Sequence, residues 1–212
     1  MSPWKLRADL VAAARELPGR GLSAGTSGNV SVRDGSGFLI TPSGVSYGAM
    51  TASDIVQLDS AGRVVGGHLQ PSSEWRLHLG LYAERPDVGA IVHAHPRHST
   101  ALACTGRDIP AFHYMVAIAG GDSIRCAPYA PYGTEELAQA AARALAGRRA
   151  CLLANHGAVA VAKTLSGALD LLTEVEELAA QYCVVLQIGN VTLLSREEMA
   201  EIIERFKTYG QR

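Results

Sequence analysis

Lysine is scarce in this chain. Only Lys5, Lys163 and Lys207 stand among 19 basic residues in a length of 212. Carbonyl chemistry through a Schiff base needs a buried, activated lysine, and only Lys163 follows an apolar run, with nothing beside it that marks a nucleophile. Blocks of basic charge are missing too. With 19 basic and 20 acidic residues the net charge is −1, which argues against nucleic acid or an anionic membrane as the main partner. No apolar run approaches the ~18 residues that cross a bilayer. The first residues carry Lys5, Arg7, Asp9, Arg15 and Glu16 and so lack the apolar centre of a signal peptide. The four cysteines, at 104, 126, 151 and 183, form no CxxC pair. Neither a cysteine-rich zinc site nor a disulfide framework is expected, and the chain reads as cytoplasmic. There is no P-loop and no G-x-G-x-x-G, so nucleotide binding has no support.

What is present suits a packed core: 48% of residues are hydrophobic and 18% charged. Pro3 at a first helical position, with Leu6, Leu10, Val11 and Leu17 at helical spacing, predicts a helix ending before Gly21. Short extended runs follow, NVSVR (29–33), FLITP (38–42) and DIVQLD (54–59), with turn residues at Asp34-Gly35 and Ala61-Gly62. Pro71-Ser72-Ser73 opens a helix with the serines as cap candidates and Glu74 in its first turn; Pro86 ends it near Arg85. GAIVHAH (89–95) reads as a buried strand, and a helix runs from Thr134 to Gly147. ACLLANHGAVAVA (150–162) reads as two extended segments broken at Asn155-His156-Gly157, followed by a long helix over 165–188. Ser195-Arg196-Glu197-Glu198 is a capping box for the last helix. These elements predict one α/β domain over 1–212 with a partly antiparallel sheet.

Seven histidines occur, and His93-Ala94-His95 is the informative pair. On a strand, residues i and i+2 share a face, so both imidazoles project together, as two ligands of a divalent cation would. His156 sits between two extended segments, where it either bonds the backbone of a turn or reaches into a cleft as a third ligand. Three histidines with an open position is a catalytic arrangement for zinc. Glu74, at a helix start, is either a helix-dipole carboxylate or the acid–base group of such a site. His78, one turn on, could chelate with it but reads better as a supporting histidine, and His98 is a candidate for the same role. Gly25-Thr26-Ser27-Gly28-Asn29, Thr41-Pro42-Ser43-Gly44 and Pro71-Ser72-Ser73 each offer small hydroxyls and backbone N–H groups. Together they suit a phosphate beside a metal.

GTSGNVSVR, LITPSG, PSSEW, VHAHPRHS, IPAFHYM, CAPYAPYGT, LLANHG and ERFKTYG, in that order, resemble the class II aldolase/adducin family, closest to its L-fuculose-phosphate aldolase branch. The resemblance implies a three-layer αβα domain around a mainly antiparallel sheet, assembled as a homotetramer with active sites between neighbouring subunits. It implies zinc, or another divalent ion such as Co²⁺ or Mn²⁺, on His93, His95 and His156, with Glu74 as acid–base and additional ligand. It places substrate phosphate on Gly28, Asn29, Ser43, Gly44, Ser72 and Ser73. It makes Tyr114 and Tyr209 the catalytic tyrosines, Tyr209 reaching the neighbour's site. The implied reaction is reversible cleavage of a ketose 1-phosphate to dihydroxyacetone phosphate and an aldehyde. L-Fuculose 1-phosphate, a 5-deoxypentulose 1-phosphate and a methylthiopentulose 1-phosphate are the candidate ketoses. Related reactions in the family are 4-epimerisation of a pentulose 5-phosphate and dehydration of methylthioribulose 1-phosphate. An adducin-like interaction module would keep the fold without the metal. Tyr132 and Asn155 depart from the aldolase pattern, which bears on the aldehyde end of the pocket.

Overall fold

The extended runs join into one sheet. The structure, a computed structural model, describes residues 3–206. Its strands are β1 Asn29–Asp34, β2 Gly37–Ile40, β3 Val56–Leu58, β4 Val64–Gly66, β5 Ala90–Ala94, β6 Cys126–Ala127, β7 Ala150–Leu153 and β8 Gly157–Ala162. They lie in the order β4-β3-β2-β1-β5-β8-β7-β6. Every neighbouring pair is antiparallel except β6 with β7. The helices are α1 Pro3–Gly19, α2 Trp75–Glu84, α3 Arg97–Ala103, α4 Glu135–Ala144, α5 Leu165–Ile188 and α6 Arg196–Phe206, with a 3₁₀ helix at Tyr114–Ala119.

Strand alternation sorts the apolar residues into two clusters. Val30, Val32, Ala90, Val92, Ala94, Ala158 and Ala160 pack with Leu10 and Leu17 of α1 and Leu169, Leu172 and Val175 of α5. Phe38, Ile91, Val159 and Val161 point the other way, against Leu77 and Leu81 of α2 and Leu137 and Ala141 of α4. The result is helix, sheet, helix.

The predicted elements are present with ends moved by a few residues, and the Ser195 capping box forms: Ser195 N–H donates to Glu198 Oε2 at 2.7 Å, and Glu198 N–H to Ser195 Oγ at 3.1 Å. β4, β6, α3 and the 3₁₀ helix are too short to show a period in the sequence. One cap assignment differs. Glu74 itself is the N-cap residue of α2 and makes no side-chain cap bond, because its carboxylate turns into the site described next.

Candidate active site

β1 and β5 pair with Asn29 opposite His93. Val30 and Val92 belong to the α1/α5 cluster, so Asn29 and His93 project from the opposite face, where α2 brings Glu74. β5 stops at Ala94, which leaves His95 just past its end. Asn155 adopts a left-handed backbone, φ 55°, before β8 opens at Gly157, and that sharp turn delivers His156. A Cβ on Gly157 would stand 2.5 Å from the Ala94 carbonyl oxygen and 2.7 Å from His95 Cδ2. Only glycine lets β8 approach this closely.

Glu74, His93, His95 and His156 each offer a ligand atom, and all these atoms lie within 4.8 Å of one another. His93 Nδ1 is 3.0 Å from the Ala158 carbonyl oxygen. A carbonyl only accepts, so Nδ1 carries the proton and Nε2 keeps its lone pair for the centre. That nitrogen lies 3.1 Å from His95 Nε2 and 3.0 Å from Glu74 Oε2, while Glu74 Oε1 lies 3.3 Å from His156 Nε2. Oε1 is buried and has no hydrogen-bond partner. Three imidazoles and a carboxylate converging around an orphaned oxygen have the donor chemistry of a divalent-cation site, and the residues fit the group.

The electrostatics agree. Burial, together with the neighbouring histidines, lowers His95 and His156 to about 4, so both are neutral ligands near pH 7. Burial pushes the Glu74 carboxyl up, but His93, His156 and the Asn29 hydrogen bond outweigh it and hold the group well below the usual carboxylate range.

Above the cluster opens a cleft of about 330 Å³, lined by Glu74, His95 and His156 and by Gly28, Asn29, Ser43, Gly44, Ser72 and Ser73. The three small-residue loops therefore meet on one cavity. Two are zipped together: Ser72 N–H donates to Thr41 O and Ser43 N–H to Gln70 O, both at 3.0 Å. Those N–H groups are consequently not free for a ligand, nor is that of Gly28, which donates to Tyr47 Oη at 2.9 Å. The groups left over are the N–H of Gly44 and of Ser73 and the serine hydroxyls. A Cβ at Gly28 would stand 2.8 Å from the His93 carbonyl oxygen, so the loop lies directly on β5.

Thr26 and Ser27, the hydroxyls of the first loop, also line the cleft, as do Tyr129 and Asn155, which the sequence does not mark as ligands, and Tyr132 stands at its mouth, 71% exposed. Tyr114 begins the 3₁₀ helix, is 48% exposed, and does not line the cleft of its own chain. Tyr209 lies outside the described residues. His98 turns away: its Nδ1 is 2.8 Å from Glu176 Oε1. His78 is fully buried and does not chelate with Glu74; it bonds Ser31 and Asn29 instead. The alternation of polar Asn29 and Ser31 with Val30 and Val32, all four buried, is the signal that could have revealed those contacts.

Residues 8–183 match the model of the Class II Aldolase and Adducin N-terminal domain. A 5-methylthioribulose-1-phosphate/5-deoxyribulose-1-phosphate aldolase of Rhodospirillum rubrum is 54% identical over 97% of this chain and 92% of its own length. An L-fuculose phosphate aldolase of Escherichia coli is 49% identical, over 98% of this chain and 97% of its own. A solved structure of an L-fuculose 1-phosphate aldolase superposes with a TM-score of 0.93 at 45% identity, covering 96% of both chains. With this breadth of match added to the fold and the histidine cluster, the chain belongs to the class II aldolase and adducin family.

Proposed function

We propose that this chain is a metal-dependent lyase that reversibly cleaves a ketose 1-phosphate to dihydroxyacetone phosphate and an aldehyde, with zinc as its ion. The observation that carries the reading is the convergence of Glu74, His93, His95 and His156 at the floor of a cleft walled by small hydroxyl-bearing loops. Full-length relatives named as aldolases favour cleavage over epimerisation or dehydration.

His93, His95 and His156 would hold the cation, with Glu74 as a further ligand when substrate is absent. When bound, it supplies Lewis-acid stabilisation of negative charge on substrate oxygens. The chain's own groups do the rest. Asn29, Ser43, Gly44, Ser72 and Ser73 hold the phosphate, the Gly44 and Ser73 N–H groups and the serine hydroxyls donating to it, while Gly28, its N–H taken by Tyr47, lets the first loop lie close on β5. That fixes C3, the carbon on the far side of the ketone from the phosphate and the one freed when C3–C4 breaks, beside Glu74. Glu74 Oε1, without a hydrogen-bond partner, takes and returns the proton on that carbon. A tyrosine exchanges the proton on the aldehyde oxygen. Tyr114 is exposed and outside its own chain's cleft, which supports its acting, with Tyr209, across a subunit boundary in a homotetramer. Tyr129 and Tyr132 at the cleft mouth would meet the aldehyde end. No helix among the described residues is long and apolar enough to cross a membrane, and all four cysteines are free; both agree with a cytoplasmic enzyme.

The test is a panel of L-fuculose, 5-deoxyribulose and methylthioribulose 1-phosphates, with dihydroxyacetone phosphate release coupled to a reductase. Cleavage of at least one that stops with chelator and returns with zinc is expected. Cleavage of none, or cleavage indifferent to chelation, overturns the reading.

A further inference from the structure

Five polar side chains stand in line on the face of the sheet that α2 covers: Tyr82, Ser31, His78, Asn29 and Glu74. None is more than 6% exposed. Tyr82 Oη is 2.8 Å from Ser31 Oγ, Ser31 Oγ 2.6 Å from His78 Nδ1, His78 Nε2 2.5 Å from Asn29 Oδ1, and Asn29 Nδ2 3.0 Å from Glu74 Oε2. His78 and Tyr82 are one helical turn apart on α2, and Asn29 and Ser31 are alternate residues of β1, so helix and strand periods mesh along the row.

The chemistry of each group fixes the direction of every bond. The Glu74 carboxylate only accepts, so Asn29 must present its NH₂. That turns Asn29 Oδ1 toward His78, whose Nε2 must then carry the proton. His78 is neutral, because burial lowers it to about 3; one proton on Nε2 leaves Nδ1 an acceptor. Ser31 therefore donates to Nδ1, and Tyr82 donates to Ser31. Four bonds run one way and end on the carboxylate. Such a row polarises cooperatively toward its last member.

We propose that His78 is a positioning residue for Glu74, holding the Asn29 amide with its nitrogen toward the carboxylate so that Oε2 is anchored and Oε1 is the oxygen left to move the proton. The inference rests on the aldolase reading. The row is closed at its far end, where Arg33 lies over the Tyr82 ring at 4.7 Å. Its near end opens on the cleft, where Oε1 has no partner. A row serving only to hold α2 on β1 would not need one direction or a terminus on the reactive group. Without His78, Asn29 Oδ1 loses its donor and the amide is free to reverse, which sets two acceptors face to face at Glu74.

Two measurements test this. In ¹⁵N-histidine-labelled wild type, the His78 ring is expected to show a protonated Nε2 and a bare Nδ1 at neutral pH, with or without zinc. A protonated Nδ1, or both nitrogens protonated, overturns the proposal irrespective of any activity. The second compares H78Q, whose amide nitrogen can still reach Asn29 Oδ1, with H78N, which reaches only toward Ser31. Both are expected to keep wild-type zinc content. H78N is expected to exchange the dihydroxyacetone phosphate proton about 10- to 100-fold more slowly than wild type, as a group displaced from its reacting position does. H78Q is expected to recover most of that rate, with the change in kcat rather than KM. Equal rates for the two variants overturn the proposal while wild-type cleavage leaves the aldolase reading standing. A wild type without metal-dependent cleavage or exchange overturns the aldolase reading, and with it the proton-moving role given to Oε1.

Discussion

Gly157→Ala isolates one contact. Gly157 is outside the left-handed region, so alanine brings no backbone strain, only a methyl group set 2.5 Å from the Ala94 carbonyl oxygen and 2.7 Å from His95 Cδ2. Carbon atoms at ordinary contact stand about 3.5 Å or more from such neighbours, so relief requires the end of β5 and the His95 ring to yield by about 1 Å. The oxygen belongs to a paired strand and cannot swing aside, so much of the displacement falls on His95. Metal sites hold their distances to about 0.2 Å. A shift of this kind is expected to lower zinc affinity at least as much as losing an outer support of a ligand does, about 10- to 100-fold. Overpacking should also cost about 1–3 kcal/mol of stability, or about 2–12 °C in Tm for a chain of this size. Affinity is read by competition with a chromophoric chelator, and stability by thermal unfolding of the metal-free protein. Gly48→Ala, where an added Cβ meets nothing within 4 Å, is the control. If Gly157→Ala bound zinc as tightly as wild type and unfolded at the same temperature, the packing of β8 against the His95 turn would be refuted.

Purified wild type is expected to carry about one divalent ion per chain, and His93→Ala none, by elemental analysis; an equal metal content would remove His93 from the ligands. Glu74→Gln should keep the fold but lose at least about 100-fold in proton exchange into dihydroxyacetone phosphate, measured by deuterium uptake; unchanged exchange moves the role elsewhere. Glu176 accepts from the N–H groups of His98 and Ser99, from His98 Nδ1 and from Ser99 Oγ, so it caps α3 from α5. Glu176→Ala leaves those donors orphaned and should cost about 1–3 kcal/mol, seen as a lower denaturant midpoint at unchanged slope. Burial lowers His78 to about 3, below its unfolded value of about 6.5. The unfolded chain then binds the extra proton, so stability is complete above about pH 6.5 and falls by about 1.4 kcal/mol per pH unit as pH drops toward 3. Denaturant titrations of metal-free wild type and H78Q across that range should show a shallower fall in the variant, and parallel curves would contradict a neutral buried His78.

Much of this protein is written locally. The i, i+2 spacing of His93 and His95 in an extended run predicts both rings on one side, because strand geometry repeats every two residues, and the two rings do meet although β5 ends at Ala94. The alternation in NVSVR and GAVAVA, the spacing through 165–188 and the Ser195 capping box likewise specify their elements from neighbours alone. Tertiary structure decided the rest. Only the β1–β5 register sets Asn29 across from His93. Only the packing of α2 carries the Glu74 carboxylate to the histidines, where its sequence context equally allowed a first-turn carboxylate serving the helix dipole, and threads His78 between Ser31 and Asn29. Which N–H groups stay free for a ligand depends on loops far apart along the chain, where Ser43 donates to Gln70 and Ser72 to Thr41. Local periods state which way a side chain points; only the assembled sheet and its covering helix state what it meets, because those contacts join residues far apart along the chain.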